Sequence, residues 1–265
     1  MNTSAIITAV IVIAVLGLIL GLFLGIAAKA FHVDTDPRED KIAGTLPGNN
    51  CGGCGYPGCS GLAAAIIAGN APVNACPVGG EAVAKAVAEI MGVDAGDSRR
   101  MVAFVKCAGD CEKAVRDYEY TGEMDCRMAA LLPGGGDKSC FYGCLGYGSC
   151  VRACPFDAIH IINGIAVVDK EACKACSKCI EACPKKLIEL VPYEAKYLVA
   201  CSSKDKGPDV MKKCKAGCIG CSLCKKNCPK DAIEISDLLA HIDQDKCEGC
   251  GVCSEKCPKK AIITH

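Results

Sequence analysis

The chain has no tryptophan and only five phenylalanines and seven tyrosines among its 265 residues. So little bulky material excludes the single large core that normally holds a chain of this length together. The formal net charge is zero, so the charge total does not point to a nucleic-acid partner. Histidine is scarce as well. His32, His160, His241 and His265 read as surface or structural residues rather than as catalytic bases. No strand–turn–helix carries a dinucleotide fingerprint, because the glycines cluster beside cysteines instead. The chain therefore has no hydride-transfer site of its own, and no catalytic residue is expected in it.

Cysteine is what the chain has in excess, with 25 residues. That density means either a disulfide framework or metal ligation, and spacing separates the two. "CKACSKCIEACP", "CIGCSLCKKNCP" and "CEGCGVCSEKCP" all follow C-x2-C-x2-C-x3-C-P, the run associated with four-iron clusters. Zinc normally uses two C-x2-C pairs across a longer loop, and disulfides show no such tripling. In a two-cluster ferredoxin the fourth cysteine of each run serves the other cluster. By that crossing, Cys218, Cys221 and Cys224 take Cys257, and Cys247, Cys250 and Cys253 take Cys228. Cys173, Cys176 and Cys179 take Cys154.

An internal repeat orders the second half. Cys140, Cys144, Cys150, Cys154, Cys173, Cys176, Cys179 and Cys183 each recur 74 residues later. The unit was duplicated. Each copy separates its two cysteine runs by a strand-like segment, "AIHIINGIAVVD" with an Asn163-Gly164 hairpin turn and "AIEISDLLAHID". In the first copy Tyr147 stands where Cys221 supplies a ligand in the second. We expect Cys140 to fold back and restore the count with Cys144, Cys150 and Cys183, leaving its counterpart Cys214 a spare thiol. Upstream, "FVKC" ending at Cys107 resembles "LVAC" ending at Cys201, but at an offset of 94; twenty residues carrying Cys111 and Cys126 have entered between. A rival allocation gives Cys140 to Cys107, Cys111 and Cys126, making one more cluster.

Before the repeats, "CGGCGYPGC" with Cys76 spaces Cys51, Cys54, Cys59 and Cys76 as C-x2-C-x4-C-x16-C. The glycines let the chain hug a cluster with unusual dihedrals. A tetrahedral zinc site stays open as an alternative here. An alanine-rich stretch through Ala68 and "EAVAKAVAEIMG", stopped by Gly92, predict helices around these cysteines.

From Ala5 to Ala28 there is no charged side chain, which is long enough for one membrane-crossing helix. A cleaved signal peptide is the alternative, but no basic residue precedes the apolar run. Lys29, Arg38 and Lys41 follow the run and place the bulk of the chain in the cytoplasm. Gly17, Gly21 and Gly25 form one stripe on which a neighbouring helix could pack.

In this order of parts the chain resembles the B-subunit family of the Rnf complex (RnfB, long anaerobe type). That complex is the ion-translocating ferredoxin:NAD oxidoreductase. The resemblance covers nearly the whole chain: an N-terminal transmembrane helix, the module of Cys51, Cys54, Cys59 and Cys76, then ferredoxin-like domains. Two such domains, rather than one, point to the longer type. It implies an electron-transfer subunit of a translocase at the inner cell membrane, single-pass with its soluble part cytoplasmic. Its implied partners are membrane, flavin-binding and NAD-binding subunits and a soluble ferredoxin donor, with Na⁺ or H⁺ as the coupling ion.

The expected architecture is a transmembrane helix (1–30), a linker with a small α-helical iron–sulfur module (31–98) and a cysteine-containing insertion (99–135). Two tandem α+β two-cluster ferredoxin-like domains (136–192 and 193–265) complete it. At least five [4Fe-4S] clusters are expected, six under the rival allocation. Between residues 34 and 98 eight acidic residues face three basic ones, whereas 212–265 holds ten lysines against seven acids. An acidic ferredoxin would be steered toward the second region, where Lys225, Lys226, Lys230, Lys259 and Lys260 flank the Cys-Pro runs; offsetting cluster charge is an equal explanation of those lysines. Two further alternatives are a polyferredoxin subunit of a membrane hydrogenase or formate-oxidising complex, and a zinc-rich scaffold without redox chemistry.

Overall fold

The computed structural model describes residues 3–30, 36–96 and 99–265. His32, the start of the linker and the boundary at 97–98 lie outside the described residues. Helix α1, Thr3–Ala30, is continuous over 28 residues. Thirteen of its large apolar side chains are exposed, from Val12 at 51% to Leu18 at 72%. Its side chains are described only at Ile7, 11–27 and Lys29. Within the stretches whose side chains are described, no helix is long and apolar enough to cross a membrane.

The module that follows contains three short helices, α2 (Pro37–Thr45), α3 (Gly58–Ile67) and α4 (Gly80–Met91). Asp36 caps α2 by accepting the Arg38 amide, with Pro37 preset for the first turn. Gly92, in the left-handed region at φ 68°, ends α4. The apolar faces meet in a small core of Ile42, Leu46, Leu62, Ile66 and Val87, against which Cys54, Cys59 and Cys76 pack.

Two units of like topology complete the chain. In the first, β1 (Met101–Val105) is followed by α5 (Cys126–Ala130), α6 (Ser149–Ala153) and the hairpin β2 (Ile159–Ile162) and β3 (Ile165–Val168). Then come α7 (Lys178–Ala182) and β4 (Ile188–Pro192), and β4 returns to pair antiparallel with β1. In the second, β5 (Tyr197–Val199), α8 (Gly207–Lys213) and α9 (Leu223–Lys226) precede the hairpin β6 (Ile233–Ser236) and β7 (Leu239–Ile242). After α10 (Val252–Glu255), β8 (Ile262–Thr264) pairs with β5. The two hairpins share one register at the 74-residue offset: Ile159 pairs with Val168 in the first, and Ile233 with Ile242 in the second.

Upstream of the expected boundary at 136, β1 is half of the outer strand pair of the first unit, so that unit draws on residues from Met101 onward. Val102, Ile159, Leu187 and Val191 share one core with Leu198 and Ala200 of the second unit. Burying each large side chain there contributes about 1.5–3 kcal/mol. Main-chain bonds also cross between the units, from Ala108 N–H to Ala200 O (2.9 Å) and from Val115 N–H to Lys213 O (2.9 Å).

Gly146 and Gly220, 74 residues apart, press against the two hairpin turns. A Cβ on Gly146 would collide with Gly164 O, and one on Gly220 would lie 2.8 Å from Leu238 O, with φ of 80° and 66°. Gly146→Ala and Gly220→Ala should each destabilise the protein by about 1–3 kcal/mol. Gly44→Ala, on α2 with no atom within 4 Å of its Cβ, should leave stability unchanged or raise it. Anaerobic thermal unfolding of the three variants measures both outcomes.

Candidate iron–sulfur sites

In the two ferredoxin-like units cysteines gather in groups of four. Cys218, Cys221, Cys224 and Cys257 line one cavity of about 380 Å³ of atom-free space. Cys228, Cys247, Cys250 and Cys253 line a second of about 360 Å³. These are the two sets that the crossing of the fourth cysteines predicts. In the first unit Cys179 lies beside Cys173, Cys176 and Cys154. In the helical module Cys76 lies beside Cys54 and Cys59, while Cys51 approaches Cys176 of the first unit. That approach is close, since a Cβ on Gly53 would sit 3.0 Å from Cys176 Cα.

The gap at Tyr147 is filled differently from the sequence expectation. The cavity holding Cys144, Cys150 and Cys183, about 350 Å³, is completed by Cys126 rather than Cys140. The insertion delivers it. Asp125 caps α5 by accepting the Arg127 amide at 2.7 Å. The same carboxylate accepts from Ser149 Oγ (3.1 Å) and pairs with Arg152, both on α6. Ser149 Oγ in turn accepts the Cys126 amide at 2.9 Å. Tyr147 itself packs on Tyr120 of the insertion, ring centroids 5.1 Å apart. Burial, then the neighbouring Asp137 carboxylate, pushes its phenol up to about 12, so it offers no anionic ligand near neutral pH.

Cys140 lies instead in a separate cavity with Cys107, Cys201 and Cys214. Cys214 thus lies among three other cysteines rather than alone, and the rival grouping of Cys140 with Cys107, Cys111 and Cys126 is not brought together. Cys111 is exposed and touches the Arg116 guanidinium at 3.7 Å. The signal that could have found this arrangement is the repeat itself: Cys140 and Cys214 occupy equivalent positions, and the second copy has no vacancy for Cys214 to fill.

Backbone amides are aimed at the sulfurs. At all four Cys-Pro sites of the two ferredoxin-like units the amide four residues on donates to the cysteine: Ala158 to Cys154 (3.4 Å), Leu187 to Cys183 (3.4 Å), Ala232 to Cys228 (3.4 Å) and Ala261 to Cys257 (3.3 Å). Such bonds strengthen when the sulfur is a thiolate and help set a cluster's potential. Burial pushes the thiol of Cys144 up to about 11 and those of Cys150 and Cys179 up to about 12. Metal loading must therefore displace protons. Among the described residues no three donors converge closely enough to hold a single metal ion. Four thiols around one cavity are the donor set that a four-iron cage takes.

Comparison with known proteins bears on the same segments. Residues 46–78 match a family described as "Putative Fe-S cluster", and residues 137–184 and 217–261 each match a "4Fe-4S dicluster domain". The chain is 44% identical over 245 residues to the B subunit of the ion-translocating oxidoreductase complex of Methanosarcina acetivorans, covering 92% of each chain. The chain belongs to the B-subunit family of ion-translocating oxidoreductase complexes. It is also 52% identical to the B subunit of the Na(+)-translocating ferredoxin:NAD(+) oxidoreductase complex of Acetobacterium woodii, over 83% of this chain and 66% of that one. The proton-translocating counterpart from Clostridium ljungdahlii is 44% identical over 82% of this chain and 76% of its own. None of the matched family segments reaches Cys107, Cys126, Cys201 or Cys214.

Cys126→Ser should lower the iron content of the anaerobically isolated protein by about four atoms per chain. Cys111→Ser should leave it unchanged. Iron and acid-labile sulfide analysis of both variants checks the pair.

Proposed function

We propose that this chain is the membrane-anchored iron–sulfur subunit of a ferredoxin:NAD oxidoreductase complex that translocates Na⁺ or H⁺. It takes electrons one at a time from reduced ferredoxin and passes them toward partner subunits that bind flavin and NAD. The observation that carries this reading is the grouping of cysteines into tetrads in the two ferredoxin-like units. Bound clusters supply one-electron redox chemistry. The residues that would hold them are Cys51, Cys54, Cys59 and Cys76; Cys154, Cys173, Cys176 and Cys179; Cys126, Cys144, Cys150 and Cys183; Cys218, Cys221, Cys224 and Cys257; and Cys228, Cys247, Cys250 and Cys253. The names of the relatives weigh against a hydrogenase or formate-oxidising partner complex.

The protein's own residues exclude water, orient amides toward sulfur and present a docking surface. Cys221 and Cys250 are exposed, whereas Cys173, Cys176 and Cys179 are buried, so the second unit is the one open to an external donor. Lys225, Lys226 and Lys260 are exposed around it, while Lys230 is engaged by Glu248 at 2.7 Å. At the other end, α1 is a membrane helix in this reading. Its 28 residues span about 42 Å at 1.5 Å per residue, more than the hydrocarbon thickness of a bilayer. The exposed apolar side chains of its described part support that placement.

Reversing Lys225, Lys226 and Lys260 together to Glu should slow reduction by an acidic ferredoxin by about tenfold or more at low ionic strength. The difference should shrink as salt screens the surface. Stopped-flow reduction of the purified protein across a salt series measures it, and a rate indifferent to both charge and salt would place the docking surface elsewhere.

A further inference from the structure

Cys107, Cys140, Cys201 and Cys214 belong to none of the five tetrads above, yet they line one cavity of about 460 Å³. We propose that they hold a sixth [4Fe-4S] cluster, which joins the two ferredoxin-like units into one electron path. The inference rests on the iron–sulfur reading of the other tetrads and extends it to a site formed between the duplicated halves.

Each half contributes two of the four ligands. Cys107 follows β1 and Cys201 follows β5, the matching outer strands, while Cys140 and Cys214 are related by the 74-residue offset. The environment repeats with them. Cys107 Sγ accepts the amide of Cys144 at 3.4 Å, and Cys201 Sγ accepts the amide of Cys218, 74 residues further on, at 3.3 Å. Ser203 N–H adds a second bond to Cys201 at 3.5 Å. Spare thiols would need no such matched arrangement, since a neutral buried cysteine packs as a small apolar residue.

The cavity also fits the charge and bulk of the group. The donor set is again four cysteines, and the empty space is of the same order as the 350–380 Å³ of the cavities at three of the other tetrads. Gly109 faces it, where a Cβ would come within 3.3 Å of Cys214 Sγ and 3.6 Å of Cys107 Sγ. Lys138, only 2% exposed, lines the cavity with its Nζ donating to Gly109 O at 2.8 Å. Lys213 lines it too and pairs with Asp205. Cations beside the sulfurs match the net negative charge of a four-thiolate cluster.

Position gives the site its role. Cys144, whose amide reaches Cys107, lines a cavity of the first unit, and Cys218, whose amide reaches Cys201, lines one of the second. The sixth site therefore touches both neighbours. Transfer through it moves one electron at a time, the second unit losing what the first gains, with no bond made or broken.

The test uses the full chain in detergent, isolated anaerobically, with Cys107→Ser, Cys214→Ser and, as a control, Cys221→Ser. Iron should number about 24 atoms per wild-type chain and about 20 in each variant. After mixing with reduced ferredoxin, freeze-quench electron paramagnetic resonance should show the second unit reduced in the Cys107 and Cys214 variants while the first lags behind wild type. A wild-type content of about 20, unchanged in those two variants but lower in Cys221→Ser, would overturn the sixth site and leave the five-cluster reading standing. A single zinc ion lost from the variants would overturn it equally. Wild-type protein without iron would instead sink the iron–sulfur reading as a whole. Native mass spectrometry of the wild-type chain counts clusters directly, so the question is decided even where a variant fails to fold.

Discussion

Sulfur–iron ligation is the constraint on which this structure depends. The units beyond α1 have short strands, α-helices of four to twelve residues and cores built from a few medium-sized side chains. Such cores bury little apolar surface for the chain they must order. Cysteine tetrads draw together segments that are distant in sequence. Core residues and ligands are interleaved: Cys144, Cys150, Cys173 and Cys179 are themselves members of the largest core cluster. Folding and metal loading are accordingly coupled, as in other small metal-dependent domains.

Duplication followed by unequal divergence explains the arrangement of the tetrads. The second copy keeps the regular spacing and needs no outside help. The first has Tyr147 in place of a ligand, and an insertion absent from the second supplies Cys126 through α5, held by Asp125, Ser149 and Arg152. The same divergence left the junction between copies intact. Cys140 kept its place opposite Cys214, which is why it is not free to repair the site beside it.

Much of this is legible in the sequence. The three regular runs, the crossing of their fourth cysteines, the offset of 74, the Asn163-Gly164 turn and the helix stop at Gly92 all depend on local spacing, which a linear reading captures. The place of Cys140 is not legible from local spacing, and shows only when the two copies are laid over one another. Four residues separate it from Cys144, but proximity along the chain does not decide which cavity a side chain enters. The partners of Cys140 are set by the meeting of the segments that follow β1 and β5, where Ala108 N–H donates to Ala200 O and Ser202 Oγ to Lys106 O, and that contact has no trace in any single motif. The start of the first unit is hidden for the same cause, because β1 is short and finds its partner β4 more than eighty residues later.

The exposure of Cys221 and Cys250, set against the burial of Cys173, Cys176 and Cys179, carries a further consequence. Dissolved oxygen and peroxide reach the outermost cages first, and thiolate ligands are attacked in proportion to their accessibility. Oxidative damage then begins at Cys221 and Cys250 and spares the buried cysteines of the first unit longest.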